Sequence, residues 1–129
     1  MITSSEILIV LFLVASFQLK HFVCDGLLQT KAMVDAKSIY GKRMGIIHAA
    51  IHGLGTAVVL ILWRPVGGVV LGLAVLDFVL HYHVDFAKEN IVKKAGWTIA
   101  EAKYWWAQSA DQTIHQLTYV GLTYLALTI

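Results

Sequence analysis

The stretch HFVCDGLLQT, residues 21–30, follows closely on the apolar run ILIVLFLVASF, residues 7–17, and decides how the fold is interpreted. The apolar run is typical of a helix that crosses a membrane, yet it continues into Lys20, His21 and Asp25. Because lipid does not solvate such side chains, we expect them to face other helices, which must then carry matching polar residues at the same depth.

The composition is that of a small membrane protein. The chain has 129 residues, room for one domain, and is 58% hydrophobic but only 14% charged, whereas soluble domains carry about 25% charged residues. The net charge of +2 is too small to indicate a nucleic-acid partner. Cys24 is the only cysteine, which excludes an intrachain disulfide and a cysteine-based zinc motif. The first charge is Glu6 rather than a basic residue, so we expect no cleaved signal peptide.

Four segments are predicted to cross the membrane as helices, since one crossing takes about 20 mostly apolar residues. They lie at about residues 7–29, 45–63, 66–86 and 102–127, with a tight turn at Arg64–Pro65. The sequence therefore predicts an all-α, single-domain transmembrane four-helix bundle over residues 1–129.

The distribution of basic residues predicts the orientation of these helices. The connections after the first and third segments hold most of them: Lys31, Lys37, Lys42, Arg43, Lys88, Lys93, Lys94 and Lys103. Short connections rich in Lys and Arg stay in the cytoplasm. Connections one and three are therefore expected to be cytoplasmic, and both termini are expected outside.

Each predicted helix carries one pair of ionisable residues spaced i, i+4, in the motifs HFVCD, HAAIH, HYHVD and DQTIH. The eight residues are His21, Asp25, His48, His52, His81, Asp85, Asp111 and His115. This spacing places both members of a pair on one helical face. The alternating direction of the helices brings all four pairs to the cytoplasmic side, where they are expected to face the interior.

Metal ions are the simplest partners for this set of side chains. One unpaired charge at mid-bilayer costs about 2.5–3.5 kcal/mol, and divalent ions satisfy carboxylates and neutral imidazoles together. Eight ligands without sulfur predict two divalent ions, either zinc, manganese or iron. Asp77 and Gln29 are expected to support the ligands from behind. Direct imidazole–carboxylate contacts between helices, or a proton path, are the alternatives.

Two further features of the third segment bear on packing. His83 is offset by two residues from the His81–Asp85 face and is expected to point elsewhere. Gly68 and Gly72 form a G-x-x-x-G motif, which permits close packing of helices and would allow copies of the chain to form a homo-oligomer.

The four motifs together resemble a known family. HFVCDGLLQT, HAAIHGLGT, HYHVDFAK and DQTIHQLTYV follow the order and gaps of the uncharacterised polytopic membrane family called domain of unknown function 3307. This resemblance implies a bacterial or phage-encoded, multi-pass protein of the bacterial inner membrane, and it implies no established activity. A looser similarity links the pattern to membrane-bound metal-dependent hydrolases, whose histidines and aspartates also lie near helix ends.

The charge of the predicted centre favours hydrolysis of an anionic substrate. Two divalent ions would exceed the negative charge of Asp25, Asp85 and Asp111 by one, so the centre would attract an anion. Paired metal ions also activate water and stabilise both oxygens of a displacement. We therefore predict a metal-dependent hydrolase of a lipid or lipid-linked phosphate at the cytoplasmic leaflet, with these three aspartates as catalytic residues.

Three basic residues near the same interface are predicted to bind the substrate headgroup, namely Lys20, Arg43 and Lys88. Lys20 could instead extend to the headgroups beside the protein. Two other functions stay open: a di-iron oxidase of acyl chains, and a non-enzymatic protein whose structural metal site serves to modify the host envelope or bind a partner.

Overall fold

The computed structural model describes residues 3–63 and 67–129, and that part of the chain contains helices and turns but no strand. The predicted Arg64–Pro65 turn and the predicted start of the third helix at residue 66 lie outside the described residues. The elements are α1 (Ser4–His21), which continues directly into a π-helical turn (Phe22–Leu27), α2 (Lys31–Ala36), α3 (Arg43–Trp63), α4 (Gly67–Ala95) and α5 (Ala102–Thr128).

Three helical segments are long and apolar enough to cross a membrane. They are Ser4–Leu27, Arg43–Trp63 and Gly67–Ala95, which confirms the prediction of membrane helices for these parts of the chain. The remaining long helix, α5, has 27 residues but is less apolar, because its first half carries most of its polar side chains. A crossing by α5 therefore stays a prediction.

The four long helices surround a common interior, with α3 packed against α1 and α4, and α5 packed against α1 and α4. One end of this interior is apolar, and Phe17 there stacks on Tyr119 with ring centroids 5.4 Å apart. The opposite end holds the histidines and aspartates of the four motifs. The fold thus separates an apolar core from a polar one.

A glycine on α3 sets how closely α3 and α4 approach. A Cβ atom added to Gly53 would lie 2.9 Å from the carbonyl oxygen of Ala74, so a larger residue would push the helices apart. Among residues 3–63 and 67–129, a Cβ at Gly68 or Gly72 would meet nothing within 4 Å. Within this part of one copy of the chain the two glycines therefore make no close helix contact, and their role between copies stays a prediction.

The helix predicted for residues 66–86 continues to Ala95, beyond the predicted end. It stops where Gly96 adopts a φ of +67°, with hydrogen bonds from Trp97 N–H to Val92 O (3.1 Å) and from Gly96 N–H to Lys93 O (3.2 Å). This is the Schellman arrangement that glycine favours. Residues 87–95 are more polar than the segment before them, so the change in composition marks the end of the apolar stretch and not the end of the helix.

The segment after α1 also differs from the prediction of one helix over residues 7–29. In the π-helical turn the Leu28 N–H donates to Val23 O at 2.9 Å, an i→i+5 bond that widens the helix. The first connection then forms α2, which begins after Thr30 and packs against α3. Helix α2 buries Met33 and Ala36 and leads directly into Lys37.

Candidate metal centre

The structure brings all eight residues of the i, i+4 pairs into one cluster at the polar end of the interior. Their side chains touch across the helices; for example, the His81 ring lies 3.5 Å from that of His52 and 4.1 Å from that of His115, centroid to centroid. Seven of the eight side chains are at most 7% exposed, and Asp25 is 18% exposed. Asp25 is therefore the member that water or a ligand reaches most easily.

One group within the cluster is formed by Asp25, His48, His52 and His81, whose ligand atoms all lie within 4.8 Å of one another. Asp25 Oδ1 lies 3.0 Å from His52 Nε2 and 3.1 Å from His48 Nε2. The Nε2 atoms of His48 and His81 are 3.2 Å apart. Ligands of one tetrahedral zinc ion lie about 3.3 Å apart, given bonds of about 2.0 Å, so these residues could hold a single ion. His81 Nε2 lies farther from Asp25 Oδ1, at 3.9 Å.

A second group consists of His81, Asp85 and His115. Since one ring nitrogen binds one ion, His81 can serve only one of the two groups at a time. Asp111 offers a replacement, because its Oδ1 lies 3.4 Å from His115 Nε2, which in turn lies 3.5 Å from Asp85 Oδ1. These three atoms are buried, and none has a hydrogen-bond partner among the described residues. A divalent ion would satisfy them together.

His21 belongs to neither group, although it was predicted as a ligand. Its Nδ1 lies 2.8 Å from the Tyr119 hydroxyl, and its Nε2 lies 2.9 Å from Gln112 Oε1 and 3.2 Å from Asp25 Oδ2. Both ring nitrogens thus have partners in the protein. His21 lies beside Asp25, and the contact of its Nε2 with Oδ2 orients the Asp25 carboxylate.

The π-helical turn and Gln29 determine the position of Asp25. The wider turn carries Asp25 in its middle and points its carboxylate at His48 and His52 on α3. Gln29 Nε2 donates to the backbone carbonyl of Asp25 at 3.1 Å, so it supports the turn rather than the carboxylate.

Two lysines place positive charge at the cluster. Lys37 Nζ lies 2.9 Å from Asp85 Oδ2, and both side chains are buried. Lys88 Nζ lies 3.9 Å from Asp111 Oδ2 and contacts Glu89 Oε1 at 2.6 Å. Sequence reasoning missed the role of Lys37, because a lysine in a basic connection carries no local sign that it folds back into the interior.

Lys20 is buried, so it does not extend to the lipid headgroups beside the protein, and its predicted role in binding a substrate headgroup stays a prediction. Its ammonium is buried and lies 2.7 Å from Asp77 Oδ2, 3.2 Å from His52 Nδ1 and 3.3 Å from the Tyr119 hydroxyl. Asp77 also accepts a hydrogen bond of 2.6 Å from Thr56 Oγ1. These contacts form a second buried layer behind His52, and they hold Lys20 away from the surface.

The other predicted residues lie at the edge of the cluster or away from it. Arg43 is the exposed first residue of α3. His83 is exposed, as its offset predicted, and its Nδ1 lies 2.7 Å from the Val79 carbonyl oxygen. Tyr119 was not predicted at all, since a tyrosine in an apolar helix usually serves packing.

The fold and the cluster define an all-helical protein with three helices apolar enough to span a membrane and buried His/Asp groups that could hold a metal ion. Residues 8–128 match the family described as "Protein of unknown function (DUF3307)", and the chain belongs to that family. Neither the curated proteins nor the solved structures contain a significant match to the chain.

Proposed function

We propose that this protein is a multi-pass protein of the bacterial inner membrane that hydrolyses a lipid or lipid-linked phosphate with the help of two divalent ions. In this proposal α5 crosses the membrane together with the other three long helices, both termini lie outside, and the cluster lies near the cytoplasmic leaflet. The observation that carries the proposal is the convergence of buried Nε2 and carboxylate atoms at the spacing of metal ligands.

The residues divide naturally into two sets of ligands. Asp25, His48 and His52 would hold one ion, and a second would be held by Asp85, Asp111 and His115, with His81 available to either set. Bound divalent ions supply the Lewis acidity that activates water and stabilises phosphoryl oxygens. As the most exposed member, Asp25 is the residue best placed to take a proton from an incoming water molecule.

The buried lysine changes the charge balance of the centre. With Lys37 paired to Asp85 and Lys88 balanced by Glu89, one divalent ion already balances Asp25, Asp85 and Asp111. A second divalent ion would give the centre a net positive charge in surroundings of low dielectric constant. Binding of the second ion therefore requires an anion to balance that charge. This supports a phosphate-bearing substrate, whose charge would stabilise the second ion.

Phosphate release tests this function directly. Protein loaded with zinc, manganese or iron is incubated in detergent with mixed lipid monophosphates and diphosphates, with and without chelator. Turnover that depends on the metal is expected, and Asp25→Asn should reduce it at least about 100-fold, the usual scale for a lost acid–base group. Asp35→Asn, the same change at an exposed carboxylate on α2, serves as the matched control and should keep wild-type turnover. Metal-loaded protein without turnover on any of these lipids would contradict the proposal.

The contacts of Asp25 favour one alternative, a non-enzymatic protein in which the cluster is structural. Asp25 Oδ1 lies within hydrogen-bonding distance of both His48 and His52, so this half of the cluster can join α1 to α3 without an ion. Asp111→Asn separates the two functions. An enzyme would lose turnover with little change in unfolding temperature, whereas a structural site would lose stability and metal together.

A further inference from the structure

A groove of about 700 Å³ opens between α4 and α5. This volume lies within the range of about 300–1,000 Å³ that small-molecule sites occupy. Most of its lining is apolar and includes Leu80, Val84, Ala87, Ile91, Ala107 and Ile114. Such a lining fits a hydrocarbon chain.

The polar residues of the groove include a basic and aromatic group where α4 ends and α5 begins. Trp97, Lys103 and Trp106 line this end, and Lys88 lines the groove about two helical turns before the end of α4. Lys103 is exposed, its Nζ lies 6.0 Å from the centre of the Trp97 ring, and no carboxylate of the described residues lies within 4.0 Å of it. Tryptophan and lysine together are typical of the membrane interface, where they contact lipid headgroups.

The groove also reaches the candidate metal centre. Asp111 contributes to its lining and is at the same time 3.4 Å from His115 Nε2. Lys88 Nζ lies 3.9 Å from Asp111 Oδ2, so a phosphate held by Lys88 would lie next to a predicted metal ligand.

A second groove on the molecule provides a contrast. It lies between α3 and α4, has a volume of about 480 Å³ and is lined by apolar residues such as Leu54, Ile61 and Phe78 without any charged side chain. Any lipid could cover this surface, whereas the α4–α5 groove offers a phosphate two ammonium groups, that of Lys88, which also contacts Glu89, and that of Lys103.

We propose that the α4–α5 groove binds an anionic phospholipid, with one acyl chain along the apolar wall and the phosphate between Lys88 and Lys103. The assignment of this lipid as the substrate rests on the proposed function, but binding itself needs no metal ion. The groove would then deliver the phosphate sideways from the bilayer to Asp111.

Quenching of tryptophan fluorescence by brominated lipids tests this binding. The chain has four tryptophans, and two variants each keep one of them: Trp106 in the groove, or Trp105, which is also exposed but does not line the groove. Each variant, freed of metal by chelator, is placed in bilayers that contain brominated phosphatidylglycerol or brominated phosphatidylcholine.

In the variant that keeps Trp106, the anionic lipid should bind more tightly than phosphatidylcholine. Each lysine that contacts the lipid phosphate should contribute a factor of about five to this preference. The preference should fall by that factor with Lys103→Gln and disappear with Ala110→Phe, which fills the groove. Ser109→Phe, the neighbouring exposed position that does not line the groove, should keep it. Equal quenching by both lipids, or the same preference at Trp105, would overturn the proposal.

A second measurement uses the wild-type chain and so does not depend on how the variants fold. Phosphatidylglycerol with a photoreactive acyl chain should crosslink preferentially to residues 80–91 and 106–114, and crosslinks confined to α3 would overturn the proposal. If anionic lipid binds here but no metal-dependent turnover occurs, the groove assignment stands and the proposed function fails. If metal-dependent turnover occurs without selective binding of anionic lipid, the proposed function stands and the groove assignment fails.

Discussion

His81 and His83 are two residues apart on α4 and lie in opposite surroundings. His81 is buried between His52 and His115, whereas His83 is exposed. We expect His81→Gln to lose about half of the metal bound by the wild-type protein, because His81 serves one of the two ligand groups at a time. His83→Gln should bind as much metal as the wild type. Elemental analysis of the purified variants measures both, and equal metal content in the two would contradict the assignment.

A glycine makes room for the buried lysine. A Cβ at Gly55 would lie 2.9 Å from Lys20 Cγ, and Lys20 cannot move away because Asp77 holds its ammonium. Gly55→Ala is therefore expected to destabilise the protein by about 1–3 kcal/mol, the usual cost of overpacking.

Gly72→Ala is the matched control for this prediction, since a Cβ there meets no atom of the described residues within 4 Å. It should be neutral or stabilising by up to about 1 kcal/mol, the helix preference of alanine over glycine. Unfolding in detergent followed by circular dichroism measures both variants. An unfolding free energy for Gly55→Ala equal to that for Gly72→Ala would show that Lys20 is not confined as described.

At the scale of elements, α2 joins the first connection to the cluster through Lys37. Its partner Asp85 is buried, so Lys37→Met leaves a buried carboxylate without its cation when no metal is bound. We expect a loss of about 3–5 kcal/mol in metal-free protein, the cost of breaking a buried pair. The loss should be smaller in metal-loaded protein, where an ion compensates Asp85.

Lys31 on the same helix provides the control. It pairs with Asp35 at 2.6 Å, but both side chains are largely exposed, so Lys31→Met should cost at most about 1 kcal/mol. Thermal unfolding with and without chelator compares the two lysines. A loss for Lys37→Met that is the same in both conditions would argue against a metal ion near Asp85.

The sequence predicted that the members of each i, i+4 pair share a helical face, but it did not predict the shape of the first helix. The spacing of HFVCD and HAAIH identified residues that share a face, since helical periodicity depends only on neighbours in the chain. It could not reveal that residues 22–27 form a π-helical turn, whose Asp25 contacts residues of α3 that are distant in the sequence. Lys37 and Tyr119 were missed for the same reason, as their partners are distant in sequence.

At the scale of the whole molecule, the path of α5 decides the topology. Its polar residues can lie in a bilayer only if they face the other helices, as Asp111 and His115 do. With four crossings, both ends of the chain lie on the same side of the membrane. With three, and with the N-terminus outside as proposed, the C-terminus would lie on the cytoplasmic side.

Labelling of single cysteines distinguishes these topologies. In a Cys24→Ser background, Ser5→Cys and Thr128→Cys should both react with a membrane-impermeant maleimide in intact cells. Lys94→Cys, at the end of α4, should react only after the cells are permeabilised. If Thr128→Cys, like Lys94→Cys, reacts only after the cells are permeabilised, α5 does not cross the membrane.

The pair of Lys20 and Asp77 has a consequence for the order in which the protein is made. The two residues are 57 positions apart, so a ribosome releases α1 long before α4 exists. Until then the lysine of the first helix lacks its carboxylate and would cost a few kcal/mol if buried in lipid, about the penalty measured for single charges. In the proposed membrane placement, the beginning of the chain therefore reaches its final depth only when α4 emerges, and membrane insertion is completed by the chain as a whole rather than helix by helix.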